Sequence, residues 1–397
     1  MTYDALVIGA GPAGATAAHL LARAGWSVAV VEKSRFPRRK VCGEFISATS
    51  MPLLGALGID SIVLSAAGPD IRRVGLFAGD AMLSSAMPPA QGFSARWGRA
   101  LGREHLDAIM LDAAVRAGAQ LWQPWKVVGV TENPGGYTCA ITAKGSMREL
   151  AARIVIAANG SWERDVLPGQ LAKTHHASDL LAFKAHFIDS DLPRDLMPLL
   201  VFPGGYGGMV YSDDGRLSLS CCIRRDVLDR QRRSMSQPHA AQAVFQHISD
   251  SCCGVRETLR RARLDGAWLS AGPIQPGIRA RYAGGIFFAG NRAGEAHPIV
   301  AEGISMAAQS AWLLARRLLA RQDDALTGTV RHEIGATYAA DWTAQFAARI
   351  RAAALFAHLA MRPAAVTLLL PIFEQCPAIL SLGAQLSGKT RQVVTAA

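Results

Sequence analysis

The sequence predicts an α/β chain (α+β overall): a Rossmann-like dinucleotide-binding domain, interrupted by an inserted antiparallel-sheet domain and followed by a C-terminal helical region. Three observations carry this. A strand, a glycine-rich turn and an alanine-rich helix open the chain. A second apolar strand, glycine-punctuated turn and long helix recur far along it, from residue 285. Between them, FPGGYGGMVYSDDGRLSLSCCIRRD alternates around turns, as strands of an antiparallel sheet do.

In order, residues 5–8 read as a strand, 12–24 as a helix and 26–31 as the next strand, a β-α-β unit. A basic loop, RFPRRKVCGEFIS, follows, then an apolar segment at 52–59 and strand-like character to about residue 84. Residues 101–117 predict a helix that Gly118 closes. Residues 127–130, 137–142 and 153–157 read as strands, with Pro134-Gly135-Gly136 as a hairpin turn. Strands are expected over 181–224, a polar helical region over 237–263, a strand at 285–289 and a long helix at 303–320. Residues 329–397 read as helix, broken at Pro363, Pro371 and Pro377.

With 397 residues, 50 % of them apolar, the chain can bury a large core, which excludes a disordered protein. Its net charge of +11 favours anionic ligands or surfaces, but the arginines are scattered and no block resembles a nucleic-acid arm. Nucleic acid is therefore not expected as a partner. The seven cysteines include the vicinal pairs Cys221-Cys222 and Cys252-Cys253, which lack metal-ligand spacing, so reduced, mostly buried thiols and no metal are expected. No signal-peptide pattern opens the chain and no window holds about 18 uninterrupted apolar residues. The expectation is a cytoplasmic protein, at most peripheral to the inner face of the membrane.

Gly9, Gly11 and Gly14 form G-x-G-x-x-G, with Pro12 and Ala13 inside it, after a strand and before a helix. Glycines there let a pyrophosphate approach the backbone at a helix N-terminus. Glu32, followed by Lys33, ends the next strand, where a carboxylate can accept bonds from ribose hydroxyls. The dinucleotide is NAD(P) or FAD on these residues alone.

The far block, GIFFAGNRAGEAHPIVAEGISMAAQSAWLLARRL, resembles the second FAD motif of the para-hydroxybenzoate-hydroxylase-like flavoproteins. Its P-x-x-x-E-G-I is most similar to the geranylgeranyl-reductase-like branch. That branch also shows F-P-x-x-K-x-C-G-E, matched by FPRRKVCGE from Phe36 to Glu44, and an arginine entering a helix before Leu-Asp, matched by Arg103, Leu106 and Asp107. The resemblance spans residues 3 to about 320. It implies a Rossmann-like FAD-binding domain assembled from residues 1–75, 99–165 and 273–325, a substrate domain from 76–98 and 166–272, and a helical region at 326–397.

It further implies that Gly290, Asn291, Gly294, Pro298, Glu302, Gly303 and Ile304 hold the ribityl chain and flavin ring, with Arg103, Lys40 and Cys42 nearby. A helix starting near Gly303 would stabilise negative charge on the reduced ring. Asn291 stands where the family usually has Asp, which makes its ribityl contact a neutral hydrogen bond. Asn159-Gly160 likewise stands where the hydroxylases usually show Asp-Gly. NADPH or NADH as electron donor is not supported by a second nucleotide motif, and a separate donor is the other source. The W-x-W-x-I-P block of flavin halogenases is absent from GSWERDVLP.

For catalysis the candidates are His297 beside Pro298, able to act as acid or base, Cys42 near the ring, and Tyr206 in the sheet domain. Lys184, His186 and Tyr211 are further polar groups placed by the resemblance over the flavin's reacting face. The C-terminal segment RIRAAALFAHLAMRPAAVTLLLPIFEQCPAILSLGAQLSGKTR mixes leucine-rich helix with basic residues, as a core cap, a tunnel cover or a membrane-surface element does. The expected function is an FAD-dependent oxidoreductase, a monooxygenase or oxidase of an apolar or aromatic secondary metabolite such as a polyketide-derived phenol or quinone. Saturation of isoprenoid double bonds and a flavin-binding scaffold without turnover are the alternatives.

Overall fold

The computed structural model describes residues 2–91, 95–161, 167, 175–236, 239–321 and 328–389. Strands Thr2–Ile8 and Val28–Val31 pair in parallel, with Leu6 opposite Ala29, because each is an apolar run that can be buried on both faces. The helix Pro12–Arg23 between them starts on a proline, whose missing N–H costs nothing in the first turn. It ends at Gly25, whose φ of 89° turns the chain back towards the next strand. The sheet continues as Tyr282–Ala283, Ile286–Phe288, Ser146–Ala157, Thr2–Ile8, Val28–Val31 and Gln120–Trp122. The far block therefore returns to the same sheet as the opening strand.

A second sheet runs Arg263–Leu264, Leu180–Ile188, Leu217–Arg224, Gly205–Tyr211, Leu196–Phe202, Arg73–Ala78 and Ala81–Ala86. It is antiparallel except where Leu196–Phe202 lies parallel to Arg73–Ala78. Strand Arg73–Ala78 straddles the boundary placed at residue 75. The boundaries at 165/166 and 325/326 lie outside the described residues.

Period-two alternation gives this sheet two different faces. Phe77, Leu200, Met209 and Leu219 pack with Val227, Val244 and Ile248 of the helices Arg225–Ser234 and Ala240–Ser251. Leu76, Val201, Tyr206 and Cys222 face the opposite way, into a cavity shared with the first domain.

The helix Arg103–Arg116 forms as its sequence implies, with Gly118 at φ 108° behind it. At 51–66 the chain is helical, as Met51–Ala56 and Asp60–Ala66. At the C-terminus, helices Gly328–Ala360, Pro363–Gln375 and Ala378–Ala384 break at Pro363 and Pro377. Pro371, expected as a third break, sits inside a helix, where it removes a single backbone bond. The first two of these helices meet at 102°, and among the described residues no single helix is long and apolar enough to cross a membrane.

Candidate active site

The two glycine-rich turns meet on one cavity of about 970 Å³, walled by both domains and by the C-terminal helices. Each glycine of the first turn has its own reason. At Gly14 a Cβ would lie 1.8 Å from the Gly9 carbonyl oxygen, so Gly14 closes the helix onto the turn, off the cavity wall. Gly9 combines φ 95° with a Cβ that would meet Ala158 O at 2.8 Å. Gly11 differs: the nearest atom to its added Cβ is Arg103 Nη2, at 3.8 Å, so the space above it is open for a phosphate. Gly11, Pro12 and Ala13 all line the cavity.

Glu32 is buried, and its carboxylate accepts the N–H of Ala10 at 2.9 Å and of Ser34 at 2.8 Å. It thus ties the glycine turn to the following strand while facing the cavity beside Lys33. Arg103 is held by a two-point bond to Asp107, 2.7 Å at each contact, which aims the guanidinium across the mouth of the turn. Lys40 also lines the cavity and reaches solvent through it. The enclosing protein nevertheless desolvates its ammonium and, with the charges of Arg103 and Arg38, pulls it down to about 8.

From the far block, Gly290, Asn291, Gly294, Pro298, Gly303 and Ile304 face the same cavity. Gly290 adopts φ 62° and donates its N–H to Ser310 Oγ at 2.7 Å. Gly294 is small because a Cβ would meet the Trp342 ring at 2.4 Å. Glu302 does not line the cavity. It is fully buried, and one carboxylate oxygen accepts from Ser47 Oγ at 3.2 Å, tying the start of helix Gly303–Leu319 to the segment after FPRRKVCGE.

Beside Pro298, the Tyr206 hydroxyl lies 3.1 Å from His297 Nδ1, and both residues line the cavity. Burial, reinforced by the neighbouring His358, lowers the His297 ring to about 4. Burial likewise raises Tyr206 well above a normal phenol, and Cys222 beside it is pushed up to about 12. Near neutral pH this wall therefore carries a neutral imidazole, a protonated phenol and a protonated thiol. Cys42 lines the cavity next to the Arg103 guanidinium, and its Sγ accepts the Glu44 N–H at 3.4 Å.

The other sheet residues lie elsewhere. Tyr211 points into the sheet's own core and donates to Ser190 O at 2.7 Å. Lys184 and His186 meet Glu44, which sequence reasoning missed: His186 Nε2 donates to Glu44 Oε2 at 2.9 Å and Lys184 Nζ contacts Oε1. Burial opposes ionisation of Glu44, but the His186 bond and the Lys184 charge override it and hold the carboxyl well below the usual range. The signal was present in FKAHF. Its alternation puts Lys184 and His186 on one face, and a buried lysine requires an acid. Glu295 was also missed; it lines the cavity, accepts from Ser161 Oγ at 2.7 Å and lies 3.5 Å from Arg279 Nη2. Trp162, in the segment used against halogenation, lies outside the described residues.

Towards the C-terminal helices the wall is mainly apolar. It combines the inner sheet face with Leu359, Val366, Leu370 and Phe373 of the C-terminal helices. An open glycine turn at a helix N-terminus, a carboxylate one strand on and a second turn opposite suit the two halves of FAD. The apolar remainder leaves room for a second molecule.

Comparison with known proteins agrees with that fit. The FAD binding domain profile matches residues 2–353. A menaquinone reductase of Mycolicibacterium smegmatis is 31 % identical over 226 residues, 54 % of each chain, so this chain spans about half the length of that relative. Digeranylgeranylglycerophospholipid reductase 2 of Methanopyrus kandleri is 26 % identical over 320 residues, 77 % of this chain and 74 % of that one. Among solved structures, the flavin-dependent brominase Bmp2 superposes with a TM-score of 0.77 at 18 % identity, covering 98 % of this chain and 94 % of its own. A geranylgeranyl bacteriochlorophyll reductase-like protein of Thermoplasma acidophilum gives 0.65 at 17 % identity, with 97 % and 99 % covered. At such identities the structural likeness shows the fold alone.

Proposed function

This chain belongs to the FAD binding domain family, and we propose that it is an FAD-dependent oxidoreductase acting on a phenol or quinone head group that carries an apolar chain. The observation that carries this reading is the polarity of the cavity. Tyr206 and His297 form one hydrogen-bonded pair beside Pro298, and the wall from there to the C-terminal helices is mainly apolar. A long apolar chain fits the apolar part, and a ring hydroxyl fits the pair.

Bound FAD supplies the redox step, by hydride transfer or by activating dioxygen. Gly9, Gly11 and the helix starting at Pro12 would hold its pyrophosphate, Glu32 its ribose, and Asn291 and the helix starting at Gly303 its ribityl chain and ring. The chain's own contribution to the chemistry is placement and hydrogen bonding. His297, kept neutral by burial, can accept a hydrogen bond from a phenol hydroxyl and orient the ring, in the tautomer whose Nδ1–H donates to the Tyr206 oxygen.

A second reading, saturation of isoprenoid double bonds, is favoured by the similarity to reductases over most of the chain. Oxygen consumption separates the two. Reduced, FAD-loaded protein should consume dioxygen faster in the presence of a long-chain alkylphenol. Protein that leaves dioxygen untouched while adding hydrogen across an isoprenoid double bond would overturn the first reading.

A further inference from the structure

The apolar end of the cavity opens to the outside where the C-terminal helices wall it. Phe356, Ile372, Leu382 and Leu386 line the cavity and are also 39 %, 51 %, 52 % and 60 % exposed. A side chain closing a core is covered on its outer side, and one decorating a surface has no cavity behind it; these four have cavity on one side and solvent on the other. Helix Pro363–Gln375 buries none of its residues. Beside the opening, Leu355 and Leu368 do not line the cavity and are 59 % and 74 % exposed. So many large apolar side chains on three consecutive helices need a cover.

The charge around them says of what kind. Between Trp342 and Ser387 the exposed charged side chains are Arg351 and Arg362 against one acid, Glu374, while Arg349 is buried. Arg351 and Arg362 are exposed, Arg351 one turn before Leu355. A second copy of this chain would set the same excess of cations against itself, whereas an anionic lipid surface neutralises it.

We propose that this apolar and basic face seats on an anionic lipid bilayer and that the cavity opens directly into it, so that an amphipathic substrate enters from the membrane without crossing water. This rests on the reading that the substrate carries an apolar chain. Docking and substrate admission then use the same helices. Apolar side chains at the opening replace the interfacial lipid contacts of the substrate as it enters, while the arginines lie at headgroup level.

The test is co-sedimentation of the full-length, FAD-loaded chain with vesicles of phosphatidylcholine alone or mixed with phosphatidylglycerol. At low salt the mixed vesicles should bind at least about tenfold more protein, and the difference should shrink as salt rises. The pair Leu355→Glu and Leu368→Glu should lower binding about tenfold with FAD content and melting temperature unchanged. The pair Arg351→Glu and Arg362→Glu should abolish the preference for phosphatidylglycerol. Wild-type protein that ignores both vesicles would overturn the proposal, as would a leucine-to-glutamate pair that binds like wild type. A dimer that this pair splits without changing vesicle binding would overturn it too. Because vesicle binding is read without turnover, a protein that oxidises an alkylphenol yet ignores vesicles refutes only this inference. One that binds vesicles yet reduces isoprenoid chains refutes only the function proposed above.

Discussion

The Tyr206 hydroxyl lies 3.1 Å from His297 Nδ1, a bond that joins the inner face of the inserted sheet to the loop leading into helix Gly303–Leu319. It places a neutral imidazole where the inserted sheet meets the second glycine turn, beside a mainly apolar wall. Tyr206→Phe keeps the ring's volume and removes the bond, so FAD content should stay normal while turnover on an alkylphenol falls about 10²-fold. An unchanged rate under single-turnover conditions would show that the pair takes no part in the chemistry.

His297 also has a thermodynamic signature. Burial lowers its folded-state value to about 4, below the unfolded imidazole near 6.5. Between those values the unfolded chain binds a proton that the folded one refuses, so stability falls as the pH drops from about 6.5 to 4, by about 3 kcal/mol. Denaturant melts of wild type and His297→Asn at the two ends of that window measure it. The variant should lose the slope that His297 contributes.

Glu44, Lys184 and His186 form a buried cluster that pins the FPRRKVCGE segment to the inserted sheet. Replacing Glu44 by Gln leaves Lys184 as an uncompensated buried charge, with an expected loss of about 3–5 kcal/mol. The pair Glu44→Gln and Lys184→Met removes both charges and should recover part of that loss. Because the carboxyl is held below its usual range, the stability it provides is present above the ordinary carboxylate value of about 4.3 and is lost as pH falls towards its folded value. Near neutrality Glu44 should contribute no pH dependence.

The first glycine turn predicts two different outcomes for the same change. Gly14→Ala must displace backbone, since its Cβ would lie 1.8 Å from Gly9 O, and should yield poorly folded protein. Gly11→Ala meets no protein atom closer than 3.8 Å and should fold with a normal melt, yet lose flavin absorbance because the methyl fills the phosphate's place. Gly11→Ala protein that purifies with a full complement of FAD would contradict the assignment of the cradle.

Lys40 faces the cavity with an ammonium lowered to about 8. If it meets a cofactor phosphate, FAD affinity should weaken as pH rises past that value, since the positive charge is then lost. Lys40→Met should bind FAD more weakly below that pH and show a flatter profile. Fluorescence titration of FAD across this range reads both.

Local chemistry was legible in the residues themselves. The open space at Gly11, the start of the helix at Pro12 and the carboxylate at Glu32 follow from a few neighbours each, because a turn, a helix start and a strand end are short-range structures. The second turn was legible for the same reason, and its return to the first sheet followed from matching the two blocks. What the residues alone did not show was which polar side chains on one sheet face the cavity reaches. Lys184, His186 and Tyr206 lie on the same face of one sheet, yet Tyr206, level with Cys222, reaches the cavity, while Lys184 and His186, further along their strand, close on Glu44.

The sequence by itself determined the nucleotide-binding frame, its two glycine turns and the helical nature of the C-terminus, since these rest on periodicity and on residues that backbone geometry demands locally. Only the tertiary structure decided that Glu44 ionises against Lys184 and His186, that Glu302 anchors the start of its helix away from the cavity, and that the C-terminal leucines both wall the cavity and face outward. Each depends on pairing between segments more than a hundred residues apart, or on which side of a helix is covered. Those are set by packing, which period and composition constrain without specifying.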